Sequence, residues 1–522
     1  MEINEILQQE TNEKIISTLK AGRNNPEPSP EIAARQLDPE QHQIMDPRTR
    51  PDKWVKTDFV DFMDSEGVLR SITVNDGEGN RQAYKKEPVA RIALAIQKLI
   101  TKRAVAFTFG NPVTLSAEPK AETLEQEVLD AVKRILFDSK SRNLNRKVAR
   151  EIYSYTEAAE LWHTVERRHS DYGFPAKHKL RATILSPAKG DKLFPYFDGT
   201  GDMIAFSREY STTDRDRAKT LFFDTYTADH LLRWVKKQGN TWQLAEGYPK
   251  RNAIGKIPVI YGSQQFIEWE DIQNNIERLE KLLSNFADTN DYHAAPKIFT
   301  TGTILGWAKK GESGAVIEGD EGATAQYLSW AQAPEAVKLE IETLLRMIYT
   351  ITQTPDISFD SIKGLGAISG VALKLLFMDA HLKVQDKMEI FDDYLQRRMA
   401  VIQAFLAQMN SRDEAFTQAC ETLEIKPEIT PYMIADEQAQ VNLLMSANGQ
   451  KAIVSRKTAV QQLGWVNDTE AELEQIEAEE SPEFPGEPFD TFQTAGEPAP
   501  DPLEPEPAAI DQEEDTDPFE IE

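Results

Sequence analysis

The chain has 522 residues, of which 59 are basic and 86 acidic, so its formal net charge is −27. This length predicts several domains of roughly 100–200 residues each, and a hydrophobic content of 40% excludes disorder throughout the chain. The acidity is concentrated at one end, because Glu470 to Glu522 contain 20 Asp and Glu and no Lys or Arg. Taking those 20 charges from −27 leaves −7 for everything before Glu470. Such a nearly balanced body can carry local basic surfaces that bind nucleic acid.

Cysteine content and hydropathy exclude disulfide-bonded, cysteine-ligated zinc and membrane-spanning proteins. The single cysteine, Cys420, excludes an intramolecular disulfide and a cysteine-based zinc site, and we expect it to be a small apolar residue on a helix. No apolar run approaches the roughly 18–20 residues of a membrane span. The N-terminus is acidic and amphipathic, unlike a signal peptide. We therefore expect a soluble protein without a membrane partner and without export by a cleaved signal.

The N-terminal third is predicted to be mainly helical. Residues 1–20 have apolar residues at helical spacing, and the proline-rich stretch after them predicts an extended arm up to residue 52. An apolar stripe from Val89 to Ile100 predicts a helix over Glu87–Arg103, followed by a strand at Phe107–Phe109. Two further helices are predicted at Leu124–Leu136 and Leu144–Thr164.

Between Lys179 and Pro258 the helical spacing of apolar residues is replaced by short strand-like segments. Short aromatic and β-branched segments alternate there with turn residues, which is typical of antiparallel strands in a mixed α+β domain. The predicted strands are Arg181–Leu185, Ala205–Tyr210, Leu221–Tyr226 and Leu231–Val235.

Long helices are predicted in the second half. Ile267–Tyr292 and Glu335–Ile351 have helical apolar spacing, and between them Ile298–Trp330 is rich in glycine with strand character. Thr354–Gly370 is dense in helix breakers. Val371–Met409 then contains no Pro or Gly, which predicts a helix about 55–58 Å long if it is continuous.

Helical pieces continue to Glu480, and the last segment, residues 481–522, is predicted to be disordered. It has nine prolines and no basic residue, so a packed core is not available to it. One hypothesis is that its charge repels DNA phosphates or recruits a basic partner. The alternative, a tail that only increases solubility, remains open.

The sequence contains no complete catalytic motif. Gly306–Ser313 has the glycine spacing of a phosphate-binding loop, but Glu312 stands where that loop needs Lys. Gly364–Gly370 does not match GxGxxG, and the seven histidines are scattered without metal-ligand spacing. The sequence therefore predicts no catalytic residue, no cofactor and no metal.

Basic side chains on the long helices allow two interpretations. They could line a path for nucleic acid, or they could belong to solvated faces where acidic neighbours such as Glu277, Glu280, Asp379, Asp386 and Asp393 pair with them at i±3 or i±4. The residues concerned are Arg278, Lys281, Lys374, Lys383, Lys387, Arg397 and Arg398.

Four motifs occur along these segments. The first is AVAFTFGNPV at Ala104–Val113. The second is GKIPVI at Gly255–Ile260, followed by the helix that contains Glu270–Leu283. The third, and the most specific, is Pro355-Asp356 followed by ISGVALK at Ile368–Lys374. The fourth is SRKT at 455–458 with WVND at 465–468. The order of the segments and these four motifs resemble the portal (head-to-tail connector) proteins of tailed bacteriophages, and the likeness spans about residues 85–480.

The resemblance implies an α+β portal fold with wing, stem, clip and helical crown, whose long helices surround a central channel. Mapped onto this sequence, the implied parts are an N-terminal helix and extended arm (1–52), the wing (53–262), a stem helix (263–293), the clip (294–334), a second stem helix (335–353), a channel loop (354–370), a long wing helix (371–410), the crown (411–480) and the acidic tail (481–522).

It also implies a function. Portal proteins form rings, usually of twelve subunits, at one vertex of the capsid, through which double-stranded DNA is packaged and ejected. The implied partners are further copies of the chain, DNA, the terminase, the major capsid and scaffolding proteins and head-completion proteins. The implied location is the virion, with assembly in the cytoplasm of the host bacterium.

The residues that the resemblance would place near DNA are few. In the channel loop they are Ile362, Lys363, Gly364, Leu365 and Gly366, and further candidates to line the channel are Arg278, Lys281 and Lys374. Two other classes of function remain open: a scaffolding or adaptor protein of head assembly, and a metal-dependent nucleic-acid-processing enzyme.

Overall fold

The computed structural model describes most of the chain up to residue 432 and a few short segments after it. The described residues are 3–22, 27–57, 60–63, 69–72, 83–121, 123–213, 219–237, 241–294, 298–301, 304–306, 318–319, 322, 324–327, 333–356, 377–432, 456–457, 460 and 469–480. The chain divides into two compact units, Met1–Asp436 and Glu437–Glu522. In the second unit, the structure describes helix α11 (Thr469–Glu480) and residues 456–457 and 460.

The first unit mixes helices with antiparallel strands, as the sequence predicts. Its helices are α1 (Ile3–Leu7), α2 (Asn12–Ala21), α3 (Pro30–Leu37), α4 (Ile96–Phe109), α5 (Glu125–Asp138), α6 (Ser141–Tyr155), α7 (Gln273–Ala294), α8 (Ala333–Ile351), α9 (Met378–Met409) and α10 (Glu414–Thr422).

The strands pair only in antiparallel fashion within the described residues. They are β1 (Lys53–Thr57), β2 (Val60–Met63), β3 (Leu69–Ile72), β4 (Ala83–Glu87), β5 (Thr114–Ser116), β6 (Glu157–His169), β7 (Ala176–Leu185), β8 (Lys192–Phe197), β9 (Met203–Thr213), β10 (Lys219–Tyr226), β11 (His230–Lys237), β12 (Gln243–Leu244), β13 (Lys250–Arg251), β14 (Val259–Ser263), β15 (Ile298–Thr301), β16 (Ile304–Gly306), β17 (Glu318–Gly319), β18 (Thr324–Tyr327) and β19 (Lys426–Glu428).

Two sheets and a helical layer make up the largest part of this unit. The three-stranded sheet has the order β14-β6-β7, and the larger sheet has the order β12-β11-β10-β9-β8 with β13 beside β11. Apolar side chains such as Ala159, Leu193, Phe206 and Val259 fill the space between the two sheets. The other face of the three-stranded sheet packs against α4, α5, α6, α9 and α10 in the largest hydrophobic core.

Helices α1 and α2 cover the remaining face of the larger sheet. Ile15, Ile16 and Leu19 are buried against its aromatic side chains. At the C-terminal end of α2, the ammonium group of Lys20 lies 5.4–5.8 Å from the ring centroids of Phe194, Phe223 and Trp242 and pairs with a glutamate, Glu209. Cation–π contacts of this kind add to the apolar burial that fixes the N-terminus.

A third layer joins α3, α4, α7 and α8. Ile276 and Leu279 of α7 are fully buried with Ile100 of α4 and Ile348 of α8. Helix α7 has 22 residues and is therefore about 33 Å long. The segment between α7 and α8 contains two small ladders, β15 with β18 and β16 with β17.

Helix α9 crosses the three-stranded sheet and holds it through a buried ion pair. Arg398 donates to the Glu160 carboxylate (2.7 Å) and to the Asn145 amide oxygen (2.6 Å), and the Tyr394 hydroxyl donates to Glu160 (3.1 Å). Burial, together with the charge of Glu160, raises the pKa of Tyr394 well above its usual value, which keeps the hydroxyl protonated as a donor. Gly262 of β14 lies beneath Tyr394, where a Cβ would come within 2.8 Å of the ring.

Several predicted elements are present with small shifts. The helices predicted at Leu124–Leu136 and Glu335–Ile351 are α5 and α8, and the four predicted strands are β7, β9, β10 and β11. Cys420 is buried on α10, as expected, and burial raises the pKa of its thiol to about 12.

The helix predicted over Glu87–Arg103 begins only at Ile96. The backbone from Ala90 to Leu94 forms no regular element and donates hydrogen bonds to side chains of α7 instead. The strand predicted at Phe107–Phe109 is also wrong, because α4 continues through Phe109. The Thr108 hydroxyl forms hydrogen bonds with the Ala104 carbonyl one turn earlier (2.8 Å) and with the Tyr153 hydroxyl (2.8 Å). Thr108 forms both bonds as part of α4.

Three further predictions need correction. The helix predicted over Leu144–Thr164 ends at Tyr155, where Thr156 has a left-handed φ of 66°, and the chain continues as β6. The N-terminal helix is divided into α1 and α2, and the predicted extended arm contains α3, which Ser29 caps and Pro30 begins. The helix predicted from Val371 is described from Met378, and residues 371–376 lie outside the described residues.

We expect the Arg398–Glu160 pair to be a strong stability determinant. Arg398→Met should lower the free energy of unfolding by about 3–5 kcal/mol, because it leaves the buried Glu160 carboxylate without its cation. The double variant Glu160→Met/Arg398→Met should recover most of that loss. Chemical denaturation measures both.

Lys338→Met is the control, since Lys338 forms an exposed pair with Glu342 and its loss should cost less than about 1 kcal/mol. Equal effects of Arg398→Met and Lys338→Met would contradict the prediction.

Candidate functional site

Most of the predicted channel-loop residues lie outside the described residues. This applies to Ile362, Lys363, Gly364, Leu365 and Gly366, and also to Lys374. The structure does describe both sides of that segment, Thr352–Asp356 after α8 and Phe377 before α9. The candidate site therefore consists of the residues that hold the two ends of this segment in place.

The polypeptide after α8 is held by side chains from two other helices. Arg103 of α4 donates to the Pro355 carbonyl (2.7 Å), and Lys383 of α9 donates to the Thr352 carbonyl (3.0 Å). The Arg103 guanidinium also lies over the Tyr349 ring, 5.6 Å from its centroid. These contacts fix the backbone immediately before the glycine-rich segment.

A buried carboxylate organises the same place. Glu268, just before α7, pairs with Lys383 (2.5 Å) and Lys387 (2.9 Å), and its side chain is 3% exposed. Burial alone would raise the pKa of Glu268, but the two ammonium groups outweigh it and lower the pKa. Glu268 is therefore ionised, and it joins the start of α7 to α9. We call Glu268, Thr352, Pro355, Lys383 and Arg103 the loop base.

For Lys383, Lys387 and Arg398, neither sequence interpretation holds. Lys383, Lys387 and Arg398 face neither a nucleic-acid path nor solvent with partners on their own helix, because their main partners are Glu268 and Glu160 on distant elements. Arg278 matches the second interpretation in part. It is half exposed and pairs with Glu340 of α8 (2.6 Å) rather than with an acid on its own helix. Lys281 is exposed on α7.

One side of α7 supplies hydrogen bonds to the extended backbone before α4. The carboxylates of Glu280 and Asp288 and the hydroxyl of Ser284 accept from the backbone N–H groups of Leu94 (2.8 Å), Ala90 (2.7 Å) and Ile92 (2.9 Å), respectively. The three acceptors recur every four residues on the helix, while the three donors alternate along an extended chain. We call Glu280, Ser284 and Asp288 the polar edge of α7.

The arm between α3 and β1 binds the same edge. His42 lies between the Glu280 carboxylate (Nδ1, 2.6 Å) and the Gln36 carbonyl (Nε2, 2.7 Å). Both of these partners are acceptors, so a protonated imidazole satisfies both contacts. Burial disfavours the charged ring, yet the hydrogen bond and charge of Glu280 raise the pKa of His42 above its usual 6.5.

Further along, Arg50 donates to Asp288 (2.7 Å) and to Asn285 (2.7 Å). The arm is thus fixed to α7 at two places, one buried and one near the surface. No sequence pattern pointed to His42, because its partner Glu280 lies far along the chain.

Among the described residues, no cluster of three or more His, Cys, Asp or Glu side chains is arranged to hold a metal ion. No helix within the described ranges is long and apolar enough to span a membrane. The buried charged groups described above are all engaged in holding elements together, which is the chemistry of a structural site.

Comparison with protein families matches residues 67–483 to the family described as "Phage portal protein, SPP1 Gp6-like". The chain belongs to this family. The match includes the loop base and the polar edge of α7, whereas α1 to α3 and the arm precede it. The resemblance seen in the sequence is confirmed, and the protein is a phage portal or connector protein.

Among solved structures, a chain of "Neck of native GTA particle computed with C12 symmetry" is similar to this portal protein. The two share 11% identity with a TM-score of 0.36, over 70% of this chain and 88% of the other. No curated protein matches the sequence.

The His42–Glu280 contact predicts a dependence of stability on pH. Because the folded pKa of His42 is raised, its stabilisation is complete below about pH 6.5 and is lost as the pH rises through the raised pKa. His42→Phe should be destabilised by about 1–3 kcal/mol at pH 6, and the difference from the wild type should shrink by pH 9. Thermal unfolding of both proteins between pH 6 and pH 9 measures this difference. If the stabilities of the wild type and of His42→Phe changed in parallel with pH, the prediction would be contradicted.

The loop base predicts a stability defect with a local signature. Glu268→Gln removes the charge that Lys383 and Lys387 share, and should cost about 3–5 kcal/mol. The amide of Thr354, which donates to the Tyr349 carbonyl (2.9 Å), should exchange faster with deuterium.

Asp386→Asn is the matched control, since Asp386 is exposed and lies 3.8 Å from Lys387. If this control accelerates exchange at Thr354 as much as Glu268→Gln does, Glu268 does not organise the loop base.

Proposed function

We propose that this portal protein forms a ring, most simply a dodecamer, at one vertex of a phage capsid. Its central channel conducts double-stranded DNA during packaging and ejection, and its rims attach the terminase and the tail or head-completion proteins. The subunit is a passive conduit rather than an enzyme. It functions in the virion, after assembly in the bacterial cytoplasm with capsid and scaffolding proteins.

The loop base is the observation that carries this proposal. A loop that contacts moving DNA needs a rigid attachment, because otherwise each contact would move the loop instead of guiding the DNA. Arg103, Lys383 and buried Glu268 supply such an attachment where residues 357–376 begin. In this proposal Ile362, Lys363, Gly364, Leu365 and Gly366 form the channel loop, and Arg278, Lys281 and Lys374 line the bore.

The pair α7 and α8 supports the assignment of the stem. The two helices pack through buried apolar residues, and the small ladders between them correspond to the proposed clip. The sheets and α9 correspond to the proposed wing, and the residues after α9 lead to the proposed crown.

An apolar strip on α8, exposed within the described part of the chain, supports the ring. Leu339, Met347 and Ile351 are 66%, 44% and 47% exposed, and they lie within about 120° of the helix circumference. Exposed apolar residues grouped in this way are typical of a protein interface. In a ring, the neighbouring subunit covers this strip.

The test is whether purified protein forms closed rings in negative-stain images and a single large species by light scattering. Leu339→Asp should convert the rings into smaller species, because it places a charge in the subunit interface. Leu244→Asp, at a similarly apolar position on strand β12, should leave the rings intact. A monodisperse monomer across salt and protein concentrations would contradict the proposal, and elongated dimers would favour a scaffolding or adaptor protein.

A further inference from the structure

The most basic surface segment of the first unit lies on α6. From Ser139 to Arg150 the sequence contains five basic residues and no acidic one, in a chain whose net charge is −27. The basic residues are Lys140, Arg142, Arg146, Lys147 and Arg150. Such a local excess of positive charge favours contact with an anionic partner.

Two of the five hold α6 in place. Arg146 donates to the carbonyls of Phe109 (2.9 Å) and Gly110 (3.0 Å), and Arg142 donates to Gly110 (3.0 Å). These acceptors are uncharged carbonyl groups, so the contacts do not neutralise the positive charge of either guanidinium group. The contacts fix α6 against the C-terminal end of α4, which makes the surface rigid.

The other three basic side chains point to solvent. Lys140, Lys147 and Arg150 are exposed, and in the described part of the chain none of them forms an ion pair. Lys147 and Arg150 lie on one side of α6, within about 60° of the helix circumference at 100° per residue. Lys140 immediately precedes the helix, with a left-handed φ of 53°, and the three residues span about 15 Å. Asn143, also exposed, lies in the same stripe. We call Lys140, Asn143, Lys147 and Arg150 the basic stripe.

We infer that the basic stripe binds the phosphate backbone of double-stranded DNA without regard to base sequence. About nine phosphates lie along 15 Å of duplex axis, so three cations and an amide on a rigid helix can each reach one. Lys, Arg and Asn side chains are common phosphate ligands.

The composition of the stripe favours DNA over an acidic protein. Protein interfaces have a buried core of apolar or aromatic anchors, with charges at the rim. The exposed residues of α6 include no apolar side chain, because its apolar residues Leu144, Val148 and Ile152 are buried in the core. A surface of three cations and one amide, without an apolar anchor, is suited to phosphates as its partner.

This binding is distinct from conduction through the channel. Every phosphate contact adds affinity that holds DNA in place, whereas a conduit must let DNA slide. The basic stripe therefore serves DNA that is stationary relative to the protein, and it does not require ring formation.

The experiment measures binding of a 30-base-pair duplex of arbitrary sequence to the full chain by fluorescence anisotropy over a range of salt concentrations. The variant Lys140→Gln/Lys147→Gln/Arg150→Gln should bind on the order of 100-fold more weakly at 0.1 M salt. The slope of log K against log salt should become shallower by about 2.7, because each lost phosphate contact contributes about 0.9.

The control removes the same charge elsewhere. Lys133→Gln/Lys192→Gln/Lys338→Gln replaces three exposed lysines on other elements and should keep the wild-type slope. Circular dichroism and ring imaging verify that both variants fold and assemble, so a failure of the ring is seen separately from a failure of DNA binding.

Equal affinity and slope in the two triple variants would overturn the inference. So would a stripe variant that keeps DNA binding but loses binding to polyglutamate, since that result assigns the surface to an acidic protein.

Discussion

Extended backbone beside a helix must find hydrogen-bond partners, and in this protein one side of α7 provides them. Glu280, Ser284 and Asp288 accept the N–H groups of Leu94, Ile92 and Ala90. Since buried backbone groups are almost always paired, this arrangement fixes where α4 begins. It also places α4 against α7, and α4 in turn carries Arg103 to the loop base. The position of the candidate site thus depends on three side-chain acceptors.

Buried charge follows the same logic at two other places. Glu268 with its two lysines and Glu160 with Arg398 each connect α9 to an element far away in the chain. A buried ion pair adds little net stability over an apolar pair, but removing one partner is costly. These pairs therefore specify one arrangement of α9 relative to α7 and the sheet.

Charge is distributed unevenly along the chain. The acidity lies in the C-terminal segment, the body is close to neutral, and the basic stripe is a local exception on α6. Under the two proposals above, attraction confined to this one surface would hold DNA there without hindering its passage through the channel. His42 lies in the part of the arm that precedes the family match, whereas its partner Glu280 lies inside the matched region.

The sequence alone determined the class of fold, the family and most elements whose apolar spacing is local. Helices α5 and α8 and strands β7, β9, β10 and β11 follow from periodicity, because each buries one face of its own pattern. Only the tertiary structure decided where α4 begins and where α6 ends. The N–H groups of Ala90 to Leu94 bind α7, and Glu157–His169 pairs with two strands that the local pattern does not reveal. The tertiary structure also decided the roles of Lys383, Lys387 and Arg398. A helical wheel would place their side chains on a solvated face. The partners of these cations, Glu268 and Glu160, become neighbours only when the chain folds, so no spacing within α9 could have identified them.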